Sequence, residues 1–154
     1  MAGEGRGKRA TTTRAANTTA YTAEDAVGDT LEFTGLLTPG STFMLMTASL
    51  EYHVAALPTS AAFRLELYND VPTVVADNAA WSLVAGDRAI HVGTVLFDTL
   101  LDRGATLKVD MDKLNKMILA GDSRTLYGIL VAHAGFTPAG NSEVLAVTVT
   151  GAPI

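Results

Sequence analysis

The sequence predicts a mainly β protein: an antiparallel β-sandwich with one short helix and an extended N-terminal arm. Three observations lead there. Apolar residues recur at every second position in several runs, turn residues separate those runs at sandwich-like spacing, and one stretch alone shows a helical period. Hydrophobic residues make up 48% of the 154 positions but aromatics only 6%, so the apolar mass is Ala, Val and Leu. That composition suits strand packing better than an aromatic base-stacking platform.

The length fits one domain with a core that needs no metal or disulfide. The chain has no cysteine, which removes disulfide frameworks and thiolate chemistry. Charged residues are 18% of the chain, below the usual quarter, so some apolar surface is expected to be covered by a partner. The net charge of −5 is uneven. Residues 1–14 carry Arg6, Lys8, Arg9 and Arg14 against Glu4, or +3, which leaves −8 for the rest.

Residues 1–17 consist of Gly, Lys/Arg, Thr and Ala without an apolar period. They are expected to form a flexible basic arm that orders on a partner, ahead of a β-sandwich domain over 18–154. A basic start followed by a Thr/Ala run does not suit a signal peptide. The uncharged stretch Phe33–Leu50 is interrupted by Pro39-Gly40 and diluted by six hydroxyl residues, so it reads as a turn into a strand, and a soluble chain is expected.

Leu31–Phe33 is a short strand and Thr38-Pro39-Gly40-Ser41 a turn. Phe43–Ala55 is the longest alternating run, with Met44, Met46, Ala48, Leu50, Tyr52 and Val54 on one face. The stretch Ala62–Leu83 opens with a strand in which Phe63, Leu65 and Leu67 alternate with Arg64, Glu66 and Tyr68. A turn at Asn69-Asp70, a loop and the pair Asp77-Asn78 lead to the single tryptophan, Trp81, whose apolar neighbours point to the core. The Asp and Asn side chains there are expected to bond their own backbone. Ala89–Phe97 and Thr106–Met111 are strands, separated by a loop over Leu100–Gly104. Leu114, Met117 and Ile118 fall at helical spacing, with Asp110 as N-cap and Gly121 beyond the end. Leu126–Ala134 reads as a central strand covered on both faces, and Glu143–Thr150 as the last strand.

The chemistry is sparse. His53, His91 and His133 lie far apart without an H-x-H pair, which favours structural or surface roles over a metal site. Gly121-Asp122-Ser123-Arg124-Thr125 has Thr where a nucleophile elbow needs Gly, and follows the expected helix rather than a strand. Asp110-Met111-Asp112 begins like a calcium loop, but Leu114 and Gly121 stand where oxygen ligands are required. The glycines around Lys8 lack the spacing of a phosphate loop. No catalytic, metal or cofactor residue is expected, and the acidic body disfavours nucleic acid as a partner.

Thr18-Thr19-Ala20-Tyr21-Thr22-Ala23-Glu24-Asp25-Ala26-Val27-Gly28 resembles the TTAYxAGDVVG-like opening of small tailed-bacteriophage head proteins. Leu65–Thr73 followed by Ala76–Ala80, Leu126–Val131 and Phe136–Ala139 are similar as well, so the resemblance spans most of 18–150. It departs at Glu24, where Gly is expected, and in the basic arm. The family comprises capsid decoration (cement, head-stabilisation) proteins. The resemblance implies a jelly-roll-like sandwich without enzymatic activity, located on the capsid exterior of the virion after synthesis in the host cytoplasm. It implies a homodimer or homotrimer that ties neighbouring major capsid subunits together. In that setting Arg6, Lys8, Arg9 and Arg14 become a capsid-contact arm. The alternative is a carbohydrate- or ligand-binding jelly-roll module of a virion, with Trp81 and Tyr68 or Tyr127 as its platform. An enzyme would need the histidines to converge with carboxylates.

Overall fold

A computed structural model describes residues 5–58 and 60–154. Among the described residues ten strands form two antiparallel sheets: β1 (Arg6–Thr13), β2 (Leu31–Phe33), β3 (Thr42–Tyr52), β4 (Ala62–Tyr68), β5 (His91–Leu96), β6 (Leu101–Asp102), β7 (Leu107–Met111), β8 (Lys116–Leu119), β9 (Leu126–Ala134) and β10 (Val144–Pro153). The larger sheet runs β1-β10-β3-β7-β6, with β8 also paired to β3. The smaller runs β2-β9-β4-β5. The pairing is nested: β1 with β10, β2 with β9, β3 with β7 and β8, β4 with β5. The chain therefore folds as one long hairpin, doubled over so that its two arms lie in two layers.

Alternation builds the core between those layers. Phe63, Leu65 and Leu67 from β4, Leu130 and Ala132 from β9, and Leu145, Val147 and Val149 from β10 are all buried there. At one end Tyr52, Phe63 and Phe136 meet edge to face, and Tyr21 stacks on Phe136 with centroids 4.9 Å apart. As expected of a central strand, β9 lies between β2 and β4 and is buried on both faces.

Three expectations about the elements are corrected. Residues 6–13 are not a flexible arm but a full edge strand in unbroken register with β10, from Arg6↔Gly151 to Thr13↔Val144. Its ladder comes from backbone groups, which composition does not report, and Ala10, Thr12 and Arg14 alternate inward. The expected helix is absent. Asp110 and Met111 end β7, and Met117 and Ile118 lie in β8. Lys113 and Asn115 take positive φ (56° and 47°), which turns the chain so that two short strands share the edge of β3. The only helical turn among the described residues is the 3₁₀ segment Ala85–Asp87. Leu101–Asp102, expected in a loop, forms β6.

The alternation of β3 also breaks. Phe43 and Leu45 face the core in its first half, Ala48, Leu50 and Tyr52 in its second. A bulge at Met46 causes the switch, since Leu45 pairs with Gly151 while Thr47 pairs with Thr150. Gly151 is required there, because a Cβ would sit 2.1 Å from the Met44 carbonyl and 2.7 Å from the Phe43 ring. Met44 and Met46 thus turn outward, opposite to the face they were expected to share with Leu50.

Candidate functional surface

The four cations of the expected arm separate. Arg14 is buried, and its Nη2 donates to Glu143 Oε1 at 2.8 Å while its guanidinium lies 5.6 Å from the centroid of the Tyr21 ring. Tyr52 OH donates to the same Glu143 oxygen at 2.6 Å. Burial works against the Arg14 charge, but its bonds to Tyr21 and Glu143 outweigh that and hold its pKa above the ordinary value. Arg14 is thus a structural anchor, not part of a contact arm. Arg6, Lys8 and Arg9 stay on β1. Arg6 Nη1 donates to Leu36 O at 3.0 Å and to Thr38 Oγ1 at 3.1 Å. Arg9 pairs with Glu51 in an exposed ion pair of small energetic value, and Lys8 is exposed.

Beside β1, the outer face of the larger sheet is bare. Met117 and Leu119 of β8 are 57% and 64% exposed, opposite Met44 and Thr42 of β3. Ala152 pairs with Met44 on the other side, and Ile154, 62% exposed, follows with its N–H donating to Thr42 O at 2.9 Å. Gly5, Gly7, Met46, Thr150 and Ala152 line a shallow depression of about 410 Å³ between this apolar area and β1. Sequence reasoning missed this face because Leu114, Met117 and Ile118 were read at helical spacing, which puts Met117 and Leu119 on different sides. The signal available was period two, with Ile118 inward between them.

The smaller sheet differs. Residues 69–90 and the segment before β2 fold over its outer face and bury Arg64, Glu66 and Tyr68 of β4. Arg64 forms a two-bond ion pair with Glu24, the residue at which the resemblance departs, and lies 5.2 Å from the centroid of the Trp81 ring. The bond to Arg64 holds the Glu24 carboxyl below its ordinary pKa. Thr94 Oγ1 donates to Glu66 at 2.7 Å, and Trp81 Nε1 donates to Tyr68 OH at 3.0 Å. Trp81 is therefore neither an exposed platform nor fully in the core: Arg64 approaches its ring and Tyr68 takes its N–H. Tyr127, the other platform candidate, is partly buried against the same cluster.

Asp77 corrects another expectation. Its carboxylate accepts from Tyr21 OH at 2.6 Å, Gly28 N at 2.7 Å and Ala15 N at 3.0 Å, not from its own turn. It ties the covering loop to the segment that follows β1. Gly28 sits there at φ 73°, where a Cβ would meet Thr12 Oγ1 at 2.1 Å. Burial raises the Tyr21 and Tyr52 phenols well above their ordinary range, reinforced by their bonds to Asp77 and Glu143.

The histidines do not converge. His53 lies 3.7 Å from Glu51, His91 lies 3.6 Å from Glu66, and His133 lies 3.4 Å from Arg64. Among the described residues no group of three or more His, Cys, Asp or Glu side chains is placed to hold a metal ion, and no helix is long and apolar enough to cross a membrane.

No family model and no curated protein matches the chain. Solved structures similar to it include the Cyanophage Pam1 capsid asymmetric unit (12% identity, TM-score 0.39, covering 99% of this chain and 86% of that one). FLHE (8%, 0.37, covering 97% and 96%) and the mud crab dicistrovirus (12%, 0.36, covering 97% and 68%) are also similar. At these identities and TM-scores the likenesses assign neither a function nor a closer fold.

Proposed function

We propose that this chain is a structural virion protein, a decoration or cement protein that binds the outside of an icosahedral tailed-phage head as a homodimer or homotrimer. It stabilises the head by bridging neighbouring major capsid subunits. The observation that carries this reading is the convergence of the segments behind the family resemblance. Tyr21 of the first bridges and stacks on Phe136 of the last. Ala26 bridges Val131, Asp25 bridges Ala80, and Asp77 receives the Tyr21 hydroxyl and the Gly28 amide. Scattered similarities in sequence thus form one contiguous unit, whose bridges, stacked rings and hydrogen bonds tie distant parts of the fold together.

The nested pairing supports a jelly roll. With β7 and β8 counted as one interrupted strand along β3, and the two-residue edge strand β6 set aside, the sheets read first-eighth-third-sixth and second-seventh-fourth-fifth, the order of an eight-stranded jelly roll. A cement protein gains from avidity, since modest contacts to several subunits add through effective concentration. The test is to add purified protein to undecorated heads of its own phage and count the copies bound. Saturable binding that raises the temperature of head rupture is expected, and absence of saturable binding overturns the reading.

A further inference from the structure

The edge of β1 is open. Arg14 N donates to Glu143 O at 2.9 Å in the register that pairs Arg6 with Gly151, so the even-numbered residues of β1 are those hydrogen-bonded to β10. Hydrogen-bonded and non-bonded pairs alternate along an antiparallel ladder. The N–H and C=O groups of Gly7, Arg9, Thr11 and Thr13 therefore point away from the sheet. Among the described residues none of these groups takes part in another backbone or side-chain hydrogen bond, and all four residues are exposed. No proline or bulge interrupts the strand, and the segment over residues 28–38 meets it through the side chains of Thr12 and Arg6. An open, regular edge of this kind is a template for another strand.

Charge narrows the occupant. Arg6, Lys8 and Arg9 crowd the first half of the strand in a chain whose residues beyond 14 carry −8. A β1–β1 seam between two copies would gather these cations twice along one ladder. An extended segment bearing carboxylates would instead meet complementary charge together with four donors and four acceptors. The depression lined by Gly5, Gly7, Met46 and Ala152 lies alongside, where the two glycines leave room for an apolar residue of the incoming segment.

We infer that the free edge of β1 is a docking strip for an extended acidic segment of the shell protein, which joins the six-stranded sheet as an added strand. This rests on the virion reading above and names the contact by which that reading operates. Strand addition draws its affinity from the main-chain ladder and its selectivity from the flanking side chains.

The test uses undecorated heads, the full chain and Thr11→Pro, which removes an outward N–H at a position where proline leaves the β10 ladder intact. Thr11→Val keeps the N–H and serves as the control. Thr11→Pro is expected to weaken head binding about tenfold or more while Thr11→Val binds like the native chain. A second readout is independent of any substitution: on heads, the Gly7, Arg9, Thr11 and Thr13 amides are expected to exchange with solvent about tenfold more slowly than in the free protein. Lys8→Glu with Arg9→Glu should also weaken binding. A folded Thr11→Pro variant that binds like the native chain, or amides whose exchange is unchanged on heads, overturns the docking strip and leaves the virion reading standing. Conversion of an oligomer to a monomer by Thr11→Pro overturns it in favour of a contact between copies. If the native chain does not bind heads at all, the virion reading fails and the docking strip with it.

Discussion

On the four-stranded sheet the outward side chains of β4, Arg64, Glu66 and Tyr68, lie buried beneath residues 69–90. On the six-stranded sheet the outward Met117 and Leu119 of β8 stand in solvent. The first face is polar yet sealed, with the Arg64 charge matched by Glu24 and Glu66 and the Trp81 N–H taken by Tyr68. The second is apolar yet open. A chain that spends more than twenty residues covering a polar face, and leaves an apolar one bare, has closed the side it needs for itself. The bare side is the one a neighbour can use.

Substitutions can break this contrast, and the largest effect belongs to the sealed interior. Arg14→Met leaves the Glu143 carboxylate without its cation, and breaking a buried pair of this kind costs about 3–5 kcal/mol, read as a lower midpoint in urea denaturation. Asp77→Ala removes the acceptor shared by Tyr21, Gly28 and Ala15 and is expected to cost about 3 kcal/mol. If Asp77 served only as a contact, its loss would weaken head binding at unchanged stability. Trp81→Ala unroofs the Arg64–Tyr68 cluster and is expected to cost about 2 kcal/mol, below the value for a fully buried tryptophan because the ring is only partly buried.

Alkaline pH probes the same end of the core more gently. The Tyr21 and Tyr52 phenols are raised in the folded state, so their contribution is intact below the ordinary value of 10.0 and is lost as pH rises beyond it. Stability should fall above that pH, and Tyr21→Phe with Tyr52→Phe should flatten the fall in a pH series of thermal melts. The smallest effect is expected on the bare face. Met117→Lys or Leu119→Lys should change stability by less than about 0.5 kcal/mol. A loss of several kcal/mol there would mean that this face is covered within the molecule.

Much of the fold was legible where burial enforces alternation: β4, β9 and β10 read directly from Phe63, Leu65 and Leu67, from the apolar run Leu126–Ala134, and from Leu145, Val147 and Val149. It was not legible where backbone bonding decides alone. Along β1 and the residue after it, the inward Ala10, Thr12 and Arg14 include one hydrocarbon among a hydroxyl and a guanidinium, so no apolar period marks the strand. In β8 four residues hold too few turns to separate a period of two from one of 3.6, and the positive φ of Lys113 and Asn115 left no Gly to announce it. The role of Asp77 was illegible for another reason. Its partners at Ala15, Tyr21 and Gly28 lie about fifty residues or more away, beyond any local pattern.

The nested pairing has a kinetic consequence. The β4–β5 hairpin joins Tyr68 to His91, while β1 must find β10 across nearly the whole chain, from Arg6 to Gly151. Loop closure costs more entropy as the loop lengthens, and chains dominated by such distant contacts fold slowly. The inner hairpin should therefore form first and β1 zip onto β10 last, an order that pulse-labelled amide exchange can follow. A strand laid down last on an otherwise finished sheet, with one edge still free, is also the one that can open and reclose without unfolding the rest. On the reading proposed above, a head taking up this protein on its outside would meet a body already folded and an edge still able to adjust its register.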